Sequence, residues 1–342
     1  MAQLSLNYPI GLVLMLATLA ATGPNGACAQ ANSDNSANAK VAAAPQAFLP
    51  NAITIPASAN WRDEIGTFKI GLVRGWSSDM SRLALGRVET LFSKALGAPV
   101  KVVVFERFAS LMDAQADGRI DMAAYSARAF ATVRLMCECV DALVAPSTMA
   151  GQNGQIAILA GDATRIPNLS AIGAAKIGRA PSIASLDIVR GMLVIAGKPV
   201  TGKEDFWVDY PDYAAAINAY ALGEIDAVVI PAAAQSSSIS EAGASELGLL
   251  SQSKDGTNLR PASTLWRSSF WQYGPIAVRS TLAPEAKAIV LNALEQIDVT
   301  EPLAHATLSD ALPGSFKKIG NADYSNVSAA IRLLVSQNAN WR

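Results

Sequence analysis

Histidine is almost absent from this sequence, cysteine is scarce and charge is sparse. The 342 residues include one His (His305), three Cys and 16% charged residues, with 27 Lys+Arg against 28 Asp+Glu. One His and three Cys cannot build a repeated His/Cys metal array. A net charge of −1 gives no electrostatic reason to expect nucleic acid or an anionic membrane surface as partner. The chain also lacks a Gly-x-Ser-x-Gly elbow and a Gly-rich phosphate loop with its Lys, and His305 falls in a C-terminal helical segment. General acid–base work wants His or paired carboxylates in a cleft, and a nucleophilic Ser wants a base within reach. These absences point to binding rather than catalysis, with no cofactor and no metal expected. What is abundant is apolar: 51% of residues are hydrophobic, too many for a disordered chain. At roughly 150 residues per domain the length suits about two domains.

The N-terminus reads as an address. Residues 1–29 contain no Asp, Glu, Lys or Arg, and Ile10–Leu19 form an apolar run broken by Ala20–Pro24. Ala27-Cys28-Ala29 then supplies the small-x-small pattern of a signal-peptidase site. The run is shorter than the ~20 residues that span a bilayer. Cleavage after Ala29 and export are expected, followed by a polar linker over 30–64. A lipidated Cys28 is the alternative, although Asn25 stands where a lipobox wants Leu; a buried N-terminal helix is another. Export leaves Cys137 and Cys139, which could close a small strained disulfide in an oxidising compartment. Their spacing is not that of a redox Cys-x-x-Cys, so a structural pair is the expectation.

An internal echo is the most informative feature. Phe108–Asp121 (FASLMDAQADGRID) recurs as Tyr213–Asp226 (YAAAINAYALGEID), 105 residues on and without a gap. Ala109, Ala114, Ala116, Gly118, Ile120 and Asp121 recur identically. Each copy is an Ala-rich helix, then Gly, then an apolar run suited to a buried strand (Met122–Ala124; Ala227–Ile230). Lys69-Ile70-Gly71 and Lys176-Ile177-Gly178 form a second echo. Each opens a strand that enters a Ser-bearing turn (Gly75-Trp76-Ser77-Ser78; Pro181-Ser182-Ile183-Ala184-Ser185). The helix that follows stops before a Gly and a Pro (Gly97 and Pro99; Gly197 and Pro199). Val100–Phe105 and Phe206–Tyr210 supply the middle strands. Each half therefore reads βαβαβ, and two parallel-dominated sheets flanked by helices are expected. The expected division is lobe 1 over 65–150, lobe 2 over 151–270, and a return to lobe 1 with C-terminal helices over 271–342.

In such sheets ligands bind outside the carboxyl ends of the strands, so two lobes share an interlobe cleft with a hinge. A helix N-terminus offers unpaired N–H groups and partial positive charge, and a Ser there adds a hydroxyl. Two facing ends would hold an anion without Lys or Arg. Trp76, Ser77 and Ser78 are the candidates in the first lobe, Ser182 and Ser185 in the second. Tyr125 and Ser126 end the third strand on the same edge. Arg107 and the Asp212–Tyr213 pair follow the two middle strands, where Arg107 and Asp212 could take the two ends of a zwitterion. Plain helix capping and solvated surface charge are the bland alternatives for all of them. Asp121 and Asp226 lie at the opposite, amino ends of the strands and are read as turn residues.

With these residues in view, the chain resembles the substrate-binding proteins of phosphate/phosphite/phosphonate ABC transporters, the PhnD-like branch of type II periplasmic binding proteins. The resemblance spans Phe68–Val335. It rests on Phe68–Val73 (FKIGLV), Leu96–Val104 (LGAPVKVVV), Ala116–Ser126 (ADGRIDMAAYS), Arg179–Arg190 (RAPSIASLDIVR), Ala221–Pro231 (ALGEIDAVVIP) and Tyr273–Arg279 (YGPIAVR). It implies a two-lobed receptor that traps an oxyanion in its cleft and delivers it to a membrane permease. Tyr125 and Ser126 fall where the family places ligand contacts. Ser182 matches the first residue of the family's Ser-Thr-Ser stretch, here Ser182-Ile183-Ala184-Ser185, so two hydroxyl positions are lost or shifted. Asp212 stands where phosphonate binders often have His. A carboxylate facing a phosphonate dianion is repulsive, so Asp212 either points away, pairs with a ligand amine or marks a different ligand.

The reading is therefore an exported, monomeric solute receptor of an ABC transporter for a small anionic or zwitterionic solute, most simply a phosphonate. Its rivals are a receptor subunit for a membrane signalling protein and an exported thiol-redox enzyme using Cys137 and Cys139.

Overall fold

The computed structural model describes residues 61–180, 186–196, 207–233, 262–310 and 312–337. The expected leader and cleavage site, with Cys28, lie outside the described residues, as do Ser182 and Ser185. Trp61, inside the stretch read as linker, is buried and opens a short helix α1 (Trp61–Ile65).

From there the chain runs β1 (Phe68–Val73), α2 (Arg82–Leu96), β2 (Val100–Phe105), α3 (Phe108–Ala116), β3 (Met122–Ala124), α4 (Ala127–Cys137) and β4 (Val140–Ser147). It crosses into β5 (Gly154–Gly161), a 3-10 turn (Leu169–Ala174), β6 (Ile177–Arg179), α5 (Leu186–Ile195), β7 (Trp207–Asp209), α6 (Tyr213–Ala221), β8 (Ala227–Ala233), β9 (Ser263–Arg267) and β10 (Trp271–Gln272). It returns through β11 (Ile276–Arg279), α7 (Pro284–Thr300), α8 (Pro302–Leu308), β12 (Gly314–Lys318), a second 3-10 turn (Asn321–Tyr324) and α9 (Ser325–Gln337).

The elements follow from local sequence. Helix α2 buries Ala84, Val88, Phe92 and Leu96, one residue per turn, and stops at Gly97, whose φ of 64° is left-handed. Burying each larger side chain of that stripe contributes about 1.5–3 kcal/mol. In β1 the period of two sends Phe68, Ile70 and Leu72 into one apolar cluster and Val73 into another, so this sheet is covered on both faces.

Two sheets result. The first has strand order β12-β4-β11-β3-β1-β2 and the second β10-β5-β8-β6-β7, with β9 also on β5. Within them the echoed units superpose in topology. Ile70 pairs in parallel with Val102 and Met122, and Ile177 pairs in parallel with Trp207 and Ala227. Each parallel trio is then extended by antiparallel strands, β11, β4 and β12 in one sheet and β5, β9 and β10 in the other. This is a two-lobed α/β architecture, each lobe a mixed sheet flanked by helices.

The echo's identical residues have structural duties. Asp121 Oδ2 accepts from Lys69 N at 2.8 Å, and Asp226 Oδ2 accepts from Lys176 N at 3.0 Å, so each Asp clips the third strand to the start of the first. The Ile of each Gly-x-Ile-Asp lies against the Gly of Lys-Ile-Gly, where a Cβ would overlap it or its neighbours: Leu111 and Ile120 at Gly71, Ile225 at Gly178.

Two backbone segments join the sheets, 148–153 and 273–275. They touch: Tyr273 N donates to Asn153 O at 2.9 Å, and the Tyr324 hydroxyl donates to Tyr273 O at 2.5 Å. Helix α9 packs on α4 of the first lobe and on α5 of the second, within one apolar cluster that contains residues of both. Its closest approach needs Gly191, since a Cβ there would stand 2.5 Å from the Ala330 carbonyl oxygen.

Candidate functional site

The carboxyl edge of the first sheet carries the turn after β1. Trp76 and Ser77 are buried rather than presented to a gap. The Trp76 indole Nε1 donates to Leu308 O at 3.2 Å, and its ring meets Phe108 edge-on. The Ser77 hydroxyl donates to Ala306 O at 3.2 Å. Both acceptors belong to the last turn of α8, whose carbonyls have no intrahelical partner, so these donors are engaged by the fold. Ser78 is exposed. Neither serine caps α2. That role belongs to Ser81, three residues beyond Ser78, whose Oγ accepts from Ala84 N at 3.2 Å.

Tyr125 is a core residue rather than a pocket wall. It is fully buried, donates to Gln115 Oε1 at 3.3 Å, and its phenol is pushed above its ordinary pKa by burial. Ser126, next in sequence, does cap a helix: its Oγ accepts from Ala129 N at 3.2 Å at the start of α4. Capping uses an oxygen lone pair and leaves the hydroxyl hydrogen available for donation. The Tyr125–Ser126 turn is clamped by the second crossing. Tyr125 N donates to Pro275 O at 2.9 Å, and a Cβ on Gly274 would run into the Tyr125 carbonyl and stand 2.6 Å from Ser126 Cα.

In the second lobe Asp212 caps α6, its Oδ1 accepting from Ala215 N at 2.8 Å, and Tyr213 is the first residue of that helix. The carboxylate is thus occupied by a helix end, which favours an anion. Arg107, its counterpart, starts α3 without a side-chain cap and is exposed.

Among the described residues, one ion pair spans the lobes. Arg128, second residue of α4, places Nη1 2.7 Å from Oδ2 of Asp187, second residue of α5. Arg190 lies 3.6 Å from the other oxygen of the same carboxylate. The first turns of α4 and α5, which follow Ser126 and Ser185, are therefore within one ion pair of each other. Little stability comes of it. With side chains 45% and 19% exposed, such a pair is worth about 0–1 kcal/mol. Arg128 also opposes the α4 dipole, which costs about 0.3–1 kcal/mol. Sequence reasoning assigned no role to Arg128 or Asp187. The available signal was the form Ser-x-charge at the start of both helices, Ser126-Ala127-Arg128 and Ser185-Leu186-Asp187, with opposite signs.

A further carboxylate stands on this edge. Gly314, the start of β12, pairs with Ser147, the end of β4, so the loop into β12 shares the edge with the turn after β3. Asp310 in that loop is an exposed residue with a left-handed backbone (φ 52°), and partial desolvation of its carboxyl raises it to about 6.

These turns sit on the frame that a family comparison names. The profile of the family described as "ABC transporter, phosphonate, periplasmic substrate-binding protein" matches residues 75–324. The chain belongs to this family. Members of this phosphonate substrate-binding family bind a solute for an ABC importer in the periplasm and are not enzymes, so the protein is a substrate-binding component of that kind.

Several solved structures are similar to this chain, and the first of them supports its fold. XAC2383 from Xanthomonas citri, bound to chloride ion, is 11% identical, with a TM-score of 0.54 over 80% of this chain and 100% of that one. A binding-protein component of an ABC phosphonate transporter from Pseudomonas aeruginosa is 16% identical, with a TM-score of 0.46 over 80% and 89%. PhnD1 from Prochlorococcus marinus, in complex with methylphosphonate, is 11% identical, with a TM-score of 0.47 over 79% and 98%. A search of curated proteins gives no match.

Within this family frame the remaining features fall away from the edge. Cys137 and Cys139 are joined as a disulfide at the far end of α4 from Ser126. His305 is buried against Phe316 with Nε2 3.0 Å from Gly314 O, and burial lowers its pKa. A cavity of about 390 Å³ lined by Met192, Ile195, Trp266 and Asn326 lies toward the C-terminal end of α5, not at the end that follows Ser185.

Proposed function

We propose that this protein captures a small phosphorus oxyanion, of the phosphonate class, between its two lobes and hands it to an ABC permease. The observation that carries the reading is the approach of two helix first turns, joined by Arg128 and Asp187 at 2.7 Å. Two facing helix ends supply N–H donors and partial positive charge to one anion. Ser126, Ser182 and Ser185 add hydroxyls, and the family's description supports phosphonate as the ligand class. Trp76, Ser77 and Tyr125 act behind the site, fixing the turns, while Ser78 remains a candidate donor. Asp212, held as a cap, is not a ligand group in this reading, and Tyr213 stands beside it.

Binding to the folded state raises melting temperature with ligand concentration. Thermal-shift titration against phosphate, phosphite, methylphosphonate, 2-aminoethylphosphonate, sulfonates and carboxylates is expected to give a concentration-dependent rise with a phosphorus oxyanion. A response to carboxylates alone would remove the phosphonate reading and leave the fold untouched.

A further inference from the structure

Asp187 answers to two arginines. Arg128 reaches it from the first lobe and Arg190 from one turn along its own helix, at 2.7 and 3.6 Å. The two differ in setting: the Arg128 side chain is 45% exposed and the Arg190 side chain 17%. The Arg128 side chain is the more open to solvent of the two. When Arg128 turns away, Asp187 keeps a cation beside it and is not stranded next to an arriving anion. Arg128 also occupies the first turn of α4, where a cation works against the helix and an anion is welcome. Its placement costs the helix some stability, and an ion pair this exposed adds little to the joining of the lobes.

We propose that Arg128 recognises the bound oxyanion and that Asp187 is its resident stand-in, exchanged for the ligand on binding; this rests on reading the gap as an oxyanion site. Exchange makes Asp187 a specificity filter. A ligand must outcompete a carboxylate that offers one negative charge and two acceptor oxygens. A singly charged sulfonate brings no more charge to Arg128 than Asp187 already does. A doubly charged phosphonate brings a second charge, and exchange runs in its favour.

The test is calorimetric titration of the full chain, wild type, Arg128→Gln and Asp187→Asn, with methylphosphonate and methanesulfonate, at a pH where methylphosphonate is doubly ionised. Melting curves of both variants verify that they fold. Arg128→Gln is expected to weaken methylphosphonate roughly ten- to a hundredfold, the range for one lost charge-assisted hydrogen bond. Asp187→Asn is expected to tighten methanesulfonate about two- to fivefold, the worth of an exposed ion pair, and to narrow the preference for methylphosphonate. If the pair is only a tie between lobes, both variants break the same contact. Both affinities then shift in one direction by similar factors with the preference unchanged, and the exchange is overturned. Wild-type protein that binds neither compound overturns the oxyanion reading and this proposal together; binding with parallel shifts overturns the proposal alone.

Discussion

The two βαβαβ units are built alike where they are structural and unlike where they face each other. Asp121 and Asp226 clip equivalent strands, and Gly71 and Gly178 admit equivalent isoleucines. At the opposite edge the correspondence turns into contrast. Arg107 starts α3 where Asp212 starts α6, and Ser126-x-Arg128 starts α4 where Ser185-x-Asp187 precedes and enters α5. Identity marks residues whose partners are the chain's own backbone. At Arg128 and Asp187 opposite charge marks positions whose partners lie in the other lobe.

The contrast should break most sharply at Gly274. Alanine there would drive a Cβ into the Tyr125 carbonyl, backbone that cannot rotate away. Gly274→Ala is expected to destabilise by about 3 kcal/mol or more in chemical denaturation. Gly86→Ala, in α2 with no neighbour within 4 Å, should instead stabilise by up to ~1 kcal/mol. A harmless Gly274→Ala would mean that the Tyr125–Ser126 turn does not depend on the crossing.

The equivalence of the clips can be sharpened next. Asp121 is 10% exposed and ion-paired with Arg279 at 27%, whereas Asp226 is 17% exposed and its partner Arg165 is 58% exposed. Asp121→Ala should cost about 2–3 kcal/mol, the loss of a hydrogen bond to a charged group, and Asp226→Ala roughly half of that. Equal losses in urea would show the surroundings of the two clips to be interchangeable.

The smallest expected effect is at Asp310. Its folded pKa of about 6 lies above the ordinary value of about 4, so ionisation is disfavoured in the folded state. The penalty is absent below about pH 4, grows as pH rises, and is complete above about 6. The residue is exposed, so solvent screens much of that penalty. Asp310→Asn should melt only slightly higher than wild type at neutral pH, by about a degree or two at most, with the gap closing on acidification. Asn also suits the left-handed backbone, so any pH-independent gain is subtracted by comparing the two pH values. A gap that does not change with pH would place the Asp310 carboxyl in water.

Much of the scaffold was legible because its residues act locally or through repetition. The Ala-rich helices, the Gly stops and the Gly-x-Ile-Asp clips each need a residue type within a few positions, and two copies separate signal from accident. The edge was legible for Ser126, a local cap. It was not for Ser77, whose hydroxyl partner Ala306 is 229 residues away, or for Trp76, which bonds Leu308 at a separation of 232. Nothing near Ser78 announces that the helix waits for Ser81. Arg128 and Asp187 are ordinary helix charges in sequence and become a pair only once α4 and α5 are brought together.

The position of β11 bears on how the chain matures. Residues 276–279 are inserted between β3 and β4, hydrogen-bonded to both. The middle of the first sheet therefore remains a gap until everything that forms the second sheet has been synthesised. On a ribosome or emerging from a translocation channel, the earlier half must wait for the later one, with its apolar strands unpaired meanwhile. Chains truncated before Ile276 should therefore fall to proteases or chaperones rather than persist as a half-receptor.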